Sequence, residues 1–436
     1  MGFASRPVRG DRSRPLAGHL EDQRDNIEAC IRCGLCLETC PTYRLGQLEE
    51  QGPRGRIAIA AGLLNGSLGI TSDLIESQLA CLLCDGCTAV CPAGVRMEPL
   101  GTAMRAELLA AEVVPRRSRW VMRALRILGR PRALERAMRI LRRAHRLKLV
   151  NLAGRLGVLR HFGVRADSIP VPPQQFLPID GSGWVPVGRV PRETVELFAG
   201  CIMSTMFADV DVMTAELLAA AGYGVVVTDG QGCCGALSAH AGDLAVAKEM
   251  AARNVAAFRS DRRIVSNSAG CGAFIKQYGE ILGSDGESVA RRVVDISELL
   301  AAEPPSFRAV ELPGPVVYQD PCHARLAQGI IGEPRTLLRA VPGLVLVEAE
   351  DQDMCCGSAG VHNIVHPRTA DELGRRKAHA LVESGASMVV TSNPGCLMQV
   401  QAALRSIGSD LPVIYLVDLL RRALPDPIER TTAQRP

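Results

Sequence analysis

Aromatic residues are scarce in this chain: two Trp, five Tyr and eight Phe, 3% of 436 residues. So few rings argue against a protein that binds nucleic acid by stacking bases on aromatic side chains. No stretch of eighteen or more predominantly apolar residues occurs, so no transmembrane helix is expected. The first residues carry Arg6, Arg9, Arg12 and Arg14 but no apolar segment, and do not read as a secretory signal. Acids are nearly missing from residues 116–165, where sixteen Lys or Arg face the single acid Glu135, a net +15. The whole chain nets +4, which leaves −11 for the remainder. Such asymmetry marks a surface that meets something anionic. The expected location is cytoplasmic, or peripheral on the cytoplasmic face of the inner membrane, with no nucleic-acid partner.

Cysteine, by contrast, is plentiful: sixteen residues. Eight form two copies of C-x2-C-x2-C-x3-C-P, namely Cys30, Cys33, Cys36, Cys40, Pro41 and Cys81, Cys84, Cys87, Cys91, Pro92. This spacing is the signature of a ferredoxin-type module with two 4Fe-4S clusters, in which the fourth cysteine of each run ligates the other cluster. Cluster one is therefore assigned to Cys30, Cys33, Cys36 and Cys91. Cluster two takes Cys81, Cys84, Cys87 and Cys40. The prolines are expected to stop helix at the crossover. Structural zinc uses paired C-x2-C units, but needs neither the third cysteine nor the C-P ending. A disulfide framework does not suit a long chain with cysteines at metal spacings.

The expected organisation is a mobile arm (1–25), the two-cluster domain (26–110), a basic helical segment and linker (111–190), two cysteine-rich repeats (191–310 and 311–425) and a tail (426–436). Gly52-Pro53-Arg54-Gly55-Arg56-Ile57 reads as a turn entering a helix from Ile57 to Leu64. A domain this small draws folding energy from its clusters. In the basic stretch Leu134, Ala137, Met138, Leu141 and Ala144 fall at helical spacing among arginines. That helix either packs on its own protein or touches acidic lipid or an acidic partner.

The second half is duplicated. Val195 to Cys201 matches Val316 to Cys322, each a strand delivering a cysteine. Cys233-Cys234-Gly235 matches Cys355-Cys356-Gly357, and Ile264 to Cys271 matches Val390 to Cys396. Each copy ends near an aspartate preceding a leucine-rich helix, Asp295 and Asp418. Matching cysteines are 121, 122, 122 and 125 residues apart, a near-constant offset that marks a repeat. Strands alternating with helices imply α/β units with parallel sheet. The fold class expected is α+β overall: an α-helical ferredoxin-type domain, then two duplicated α/β cysteine-rich domains.

Each repeat thus offers a quartet: Cys201, Cys233, Cys234, Cys271 and Cys322, Cys355, Cys356, Cys396. Three occupants compete: one further iron–sulfur cluster per repeat, a thiol/disulfide redox centre, and structural zinc or plain packing. Gly230-Gln231-Gly232-Cys233-Cys234-Gly235 formally matches a dinucleotide-binding loop, but its variable positions are the cysteine pair and the second repeat lacks the glycines. His323 adjoins Cys322, and His240 and His362 stand six residues beyond the cysteine pairs. These could tune a cluster or handle protons, or be loop histidines without a role. Asp320 reads as structural or as a support for the cysteine site.

Taken together, the two ferredoxin motifs, the Gly52 to Ile57 turn and the phrases Gly232 to Ser238, Ser268 to Ala273 and Cys355 to Gly360 resemble the iron–sulfur subunit of glycolate oxidase, from about Cys30 to Leu420. That resemblance implies a subunit with no catalytic residue and no FAD of its own. Its partners would be FAD-containing subunits that oxidise glycolate to glyoxylate, and it would pass the electrons toward the quinone pool. Iron–sulfur subunits of D-lactate and anaerobic glycerol-3-phosphate dehydrogenases share the parts. The cysteine-rich subunit of heterodisulfide reductase does too, but its motifs end in C-x-x-C, where this chain has Phe274 and Gln399. A thiol/disulfide enzyme and a redox-sensing scaffold are the alternatives of another class.

Overall fold

The computed structural model describes residues 16–158, 169, 171–186 and 190–425. Residues 1–15 of the expected arm, the tail 426–436, and parts of the linker and basic stretch lie outside the described residues.

The first domain is helical. Its cysteines sit on loops and on short turns of helix, held by a core of Leu20, Ile57, Leu63, Leu83, Leu100, Met104 and Leu108. The loops depart from ordinary backbone: Arg32, Leu83 and Asp85 have φ of +58°, +50° and +58°. Non-glycine residues rarely adopt this region, and such strain tends to collect at functional sites. Here it turns the chain around its own thiols. Pro41 does not stop a helix, as expected, but opens one: Cys40 is the N-cap and Pro41 the first residue of Pro41–Gly46. Proline suits that position because the first helical N–H has no partner in any case. The same rule moves the start of the next helix from Ile57 back to Pro53, giving Pro53–Leu64. Gly55 lets this helix press on Glu49, whose carbonyl oxygen lies 2.0 Å from where a Cβ would stand.

The basic stretch folds into helices Arg116–Leu125, Pro131–Arg146 and Leu149–Arg155. Leu128, Leu134 and Met138 pack with Met250, Cys201 and Cys233, so this segment lies over the first quartet. Its other side exposes Trp120, Ile140, Leu147, Leu152 and Leu156 among the arginines.

The two repeats each build a parallel sheet. In the first, β2 (Glu193–Leu197), β3 (Tyr223–Val226), β4 (Ile264–Ser266) and β5 (Val293–Asp295) take the order β3-β2-β4-β5. In the second, β6 (Val316–Tyr318), β7 (Leu346–Val347), β8 (Met388–Thr391) and β9 (Val413–Tyr415) take the order β7-β6-β8-β9. The orders coincide, as a duplication requires. The first sheet gains an antiparallel edge strand, β1 (Gly183–Trp184), from the linker. Helices cover both faces, which is why β6 and β8 are buried throughout. One core runs through both repeats, from Val195 and Leu217 to Tyr415 and Leu420. The closing helix of each repeat packs on the first long helix of the other: Ile296–Ala301 on Glu333–Arg339, and Leu416–Arg422 on Ala208–Ala220. Asp295 caps its helix through a reciprocal pair with Glu298. Asp418 does not match it: it lies inside the first turn of Leu416–Arg422, whose N-cap is Tyr415.

Candidate metal centre

Two adjoining cavities open in the first domain. One is lined by Cys30, Cys33, Cys36, Cys87 and Cys91 with apolar walls from Ile57, Val95 and Met97. The other is lined by Cys40, Cys81, Cys84 and Cys87. The first reaches the surface, where Cys33 is exposed beside the exposed Ile31 and Leu35. The second is buried, with Cys40, Cys81 and Cys84 all inside, and partly cationic. Buried Arg56 places Nη1 3.9 Å from Cys40 Sγ and is held by Thr42 Oγ1 and the Ser77 carbonyl. Burial pushes the Cys84 and Cys87 thiols well up. A bound cation reverses that penalty by taking the thiolate as its ligand.

Each quartet is also gathered. Hydrogen-bond contacts run in series from Cys201 to Cys233, Cys234 and Cys271, and from Cys322 to Cys355, Cys356 and Cys396. Hydrogen bonding between neighbouring sulfurs pushes Cys201 up and Cys233 down, Cys234 up and Cys271 down. In the second repeat it pulls Cys322 down to about 7 and Cys356 down, and pushes Cys355 and Cys396 up. Four thiolates cannot coexist in a dry site without cations, and four converging thiols are the donor set that iron–sulfur clusters and zinc use. Cationic groups serve both quartets: Arg253 favours the Cys233 thiolate, Lys377 the Cys356 thiolate, and His323 the Cys271 and Cys322 thiolates. Phe274 packs against Cys234, and Gln399 donates to the Ala370 carbonyl and accepts from Asn363. The position of a fifth cysteine is thus filled by packing in both repeats.

The sites touch in sequence. Cys84 packs with Leu82, Met354 and Cys355, with Cys322 against them. His323 Nε2 donates to the Leu83 carbonyl at 3.0 Å. The quartets are joined through their distal loops, where Gly270 N donates to Asn393 Oδ1 at 3.2 Å and Asn393 Nδ2 lies 3.4 Å from Cys396 Sγ. None of the three histidines is a loose loop residue. His240 Nε2 lies 2.8 Å from Glu98 Oε1, and His362 Nε2 donates to the Ala80 carbonyl at 3.2 Å. Burial, the largest single influence, pushes Glu98 up, but the His240 hydrogen bond, the charges of His240 and His323 and the Gln277 hydrogen bond together hold the carboxyl at about 2.

A third cavity lies where the first domain, helix Arg116–Leu125 and both repeats meet. Its apolar lining includes Leu79, Val121, Met122 and Val365, and its polar lining Arg105, Ser118, His240, His362 and His366. Among the described residues Arg105 Nε, Ser118 Oγ, His362 Nδ1 and His366 Nε2 are buried without a hydrogen-bond partner. His362 donates its other ring nitrogen to a carbonyl, so Nδ1 offers a lone pair. Arg105, Ser118 and His366 escaped the sequence reading. His366, four residues past His362 on the next turn, was the available signal.

The fold and these sites define a class: an iron–sulfur protein with a dicluster domain ahead of two cysteine-rich domains. Residues 26–95 match a 4Fe-4S dicluster domain, and residues 195–276 and 316–401 match a cysteine-rich domain. The chain belongs to the glycolate oxidase iron–sulfur subunit family. It is 32% identical over 426 residues to a probable glycolate oxidase iron–sulfur subunit of Bacillus subtilis, covering 90% of this chain and 93% of that one. It is 31% identical over 413 residues to the glycolate oxidase iron–sulfur subunit of Escherichia coli, covering 91% and 94%. A subunit of the fumarate reductase (CoM/CoB) of Methanothermobacter marburgensis is 29% identical, over 93% of this chain and 74% of its own length.

Proposed function

We propose that this chain is the electron-transfer subunit of a glycolate oxidase complex. An FAD-bearing partner oxidises glycolate to glyoxylate, releasing two electrons and two protons, and this chain, itself without FAD or catalytic residues, conducts the electrons toward a quinone. Cys30, Cys33, Cys36 and Cys91 hold one 4Fe-4S cluster; Cys81, Cys84, Cys87 and Cys40 hold the second; each quartet holds one more. Such clusters carry electrons singly. The observation that carries the reading is the unbroken succession of cysteine sites, from exposed Cys33 through Cys87 to the Cys84–Cys322 contact and across Asn393 to the first quartet. Exposed Ile31 and Leu35 beside Cys33 suit the docking face of the partner.

The third cavity suits the acceptor. Arg105 Nε and Ser118 Oγ can donate to quinone carbonyls, the imidazole lone pairs can receive quinol hydroxyls, and the apolar lining fits the ring. The arginine-rich helices beside it suit the cytoplasmic face of an anionic membrane.

The experiment mixes the chain with its FAD partner under anaerobic conditions and offers glycolate, D-lactate or glycerol 3-phosphate. Glycolate should bleach the iron–sulfur absorption and a soluble quinone should restore it; bleaching by one of the other two alone reassigns the substrate. Ser118→Ala and His366→Leu should each slow quinone reduction roughly tenfold, the worth of one hydrogen bond, while ferricyanide reduction stays unchanged. Equal losses with both acceptors would remove the acceptor from this cavity.

A further inference from the structure

At the meeting point of the three domains stands a cluster that the electron path does not use. Glu98 comes from helix Met97–Ala110 of the first domain, His240 from the first repeat and His323 from the second. One donor atom of each lies within 4.8 Å of the others. Glu98 and His240 are buried and His323 is partly buried.

We propose that Glu98, His240 and His323 bind one divalent first-row transition-metal ion that pins the three domains together. Two imidazoles and a carboxylate are a donor set for zinc or ferrous iron. With metal–donor bonds of about 2.0–2.2 Å, neighbouring donors sit about 3–4 Å apart. The 2.8 Å between His240 Nε2 and Glu98 Oε1 already approaches that spacing.

The supporting contacts are those of a metal site. His323 gives its Nε2 proton to the Leu83 carbonyl, which leaves the Nδ1 lone pair free. Gly270 lies beside that nitrogen, where a Cβ would stand in ordinary contact at 3.6 Å. The second oxygen of Glu98 accepts from Gln277 Nε2 at 2.7 Å. Metal-bound histidines and carboxylates are oriented by such outer contacts. His240 binds through Nε2 once its proton resides on Nδ1. A further buried carboxylate, Asp85, lies in hydrogen-bond contact with Glu98. None of this depends on the quinone or on the FAD-bearing partner.

The test uses the full chain, purified anaerobically with its clusters intact, incubated with Zn2+ and passed over a chelating resin. The expected result is one retained zinc per chain, with a zinc-edge X-ray absorption spectrum showing only nitrogen and oxygen ligands. Glu98→Gln should lose that zinc and keep the acid-labile sulfide of the wild type. No retained zinc in the wild type overturns the proposal. So does a sulfur shell near 2.3 Å, which would place the ion in a cysteine site. Should Glu98→Gln not fold, His240→Asn takes its place, and the wild-type spectrum decides by itself.

Discussion

Asp320 stands two residues ahead of Cys322 and is almost completely buried, with 1% of its side chain exposed. Arg335 grips it with both Nη atoms, at 2.9 and 2.8 Å, and reaches Glu348 with Nε at 2.7 Å. Arg325 adds a contact at 2.9 Å. A charge buried like this is tolerable only while it is paired. Arg335→Met should therefore cost about 3 kcal/mol in urea unfolding, whereas Glu348→Gln, at the half-exposed end, should cost about 1 kcal/mol or less. The histidines supply a pH dependence. Burial, then the charges of His366, Arg105 and Arg56, push His362 down to about 3; burial, then Arg105 and Arg117, push His366 down to about 4. Both stay neutral in the fold, while in the unfolded chain they take up protons below about 6.5. The unfolded state thus gains protons first, so stability falls as pH drops from about 6.5 toward 3. A series of melting temperatures across that range should show the loss, and His366→Leu should lessen it.

Among the elements, the arginine-rich helices pack on their own protein by one side and leave the other side exposed. Leu134 and Met138 pack over the first quartet, while Arg136, Arg139 and Arg143 remain outside with Trp120 and Ile140. Each basic residue near an anionic bilayer contributes about 1 kcal/mol. The protein should cosediment with vesicles containing phosphatidylserine and be released by salt. Glu at Arg136, Arg139 and Arg143 should reduce binding at least tenfold. The position of these helices was legible because a helix with one apolar stripe writes its period into the sequence. The starts at Pro41 and Pro53 were misread because proline interrupts a helix within and opens one at its first residue. Asp418 was misread because an aspartate near a helix start is a cap only when its backbone is extended. Tyr415 meets that condition with φ −79° and ψ 148°.

For the whole molecule, the constant offset between cysteines foretold two matching sheets, since each repeat is locally self-consistent. It could not foretell that the closing helices cross over to the opposite repeat. Nor could it bring together Glu98, His240 and His323, which come from three separate folding units with no shared spacing. The cysteine spacings were readable because the chemistry of one cluster fixes short distances along one loop. The placement of Cys84 against Cys322 was not, because only packing between domains sets it. In the proposed function that contact joins separate cysteine sites into one path. The most direct measurement is iron and acid-labile sulfide content with low-temperature EPR on the anaerobically purified chain and on Cys33→Ser. The account predicts inorganic sulfide matching the iron, a reducible cubane signal in the wild type, and loss of one cluster with most of the partner-coupled glycolate activity in the variant. Zinc without sulfide, or a variant with the iron content and activity of the wild type, would contradict it.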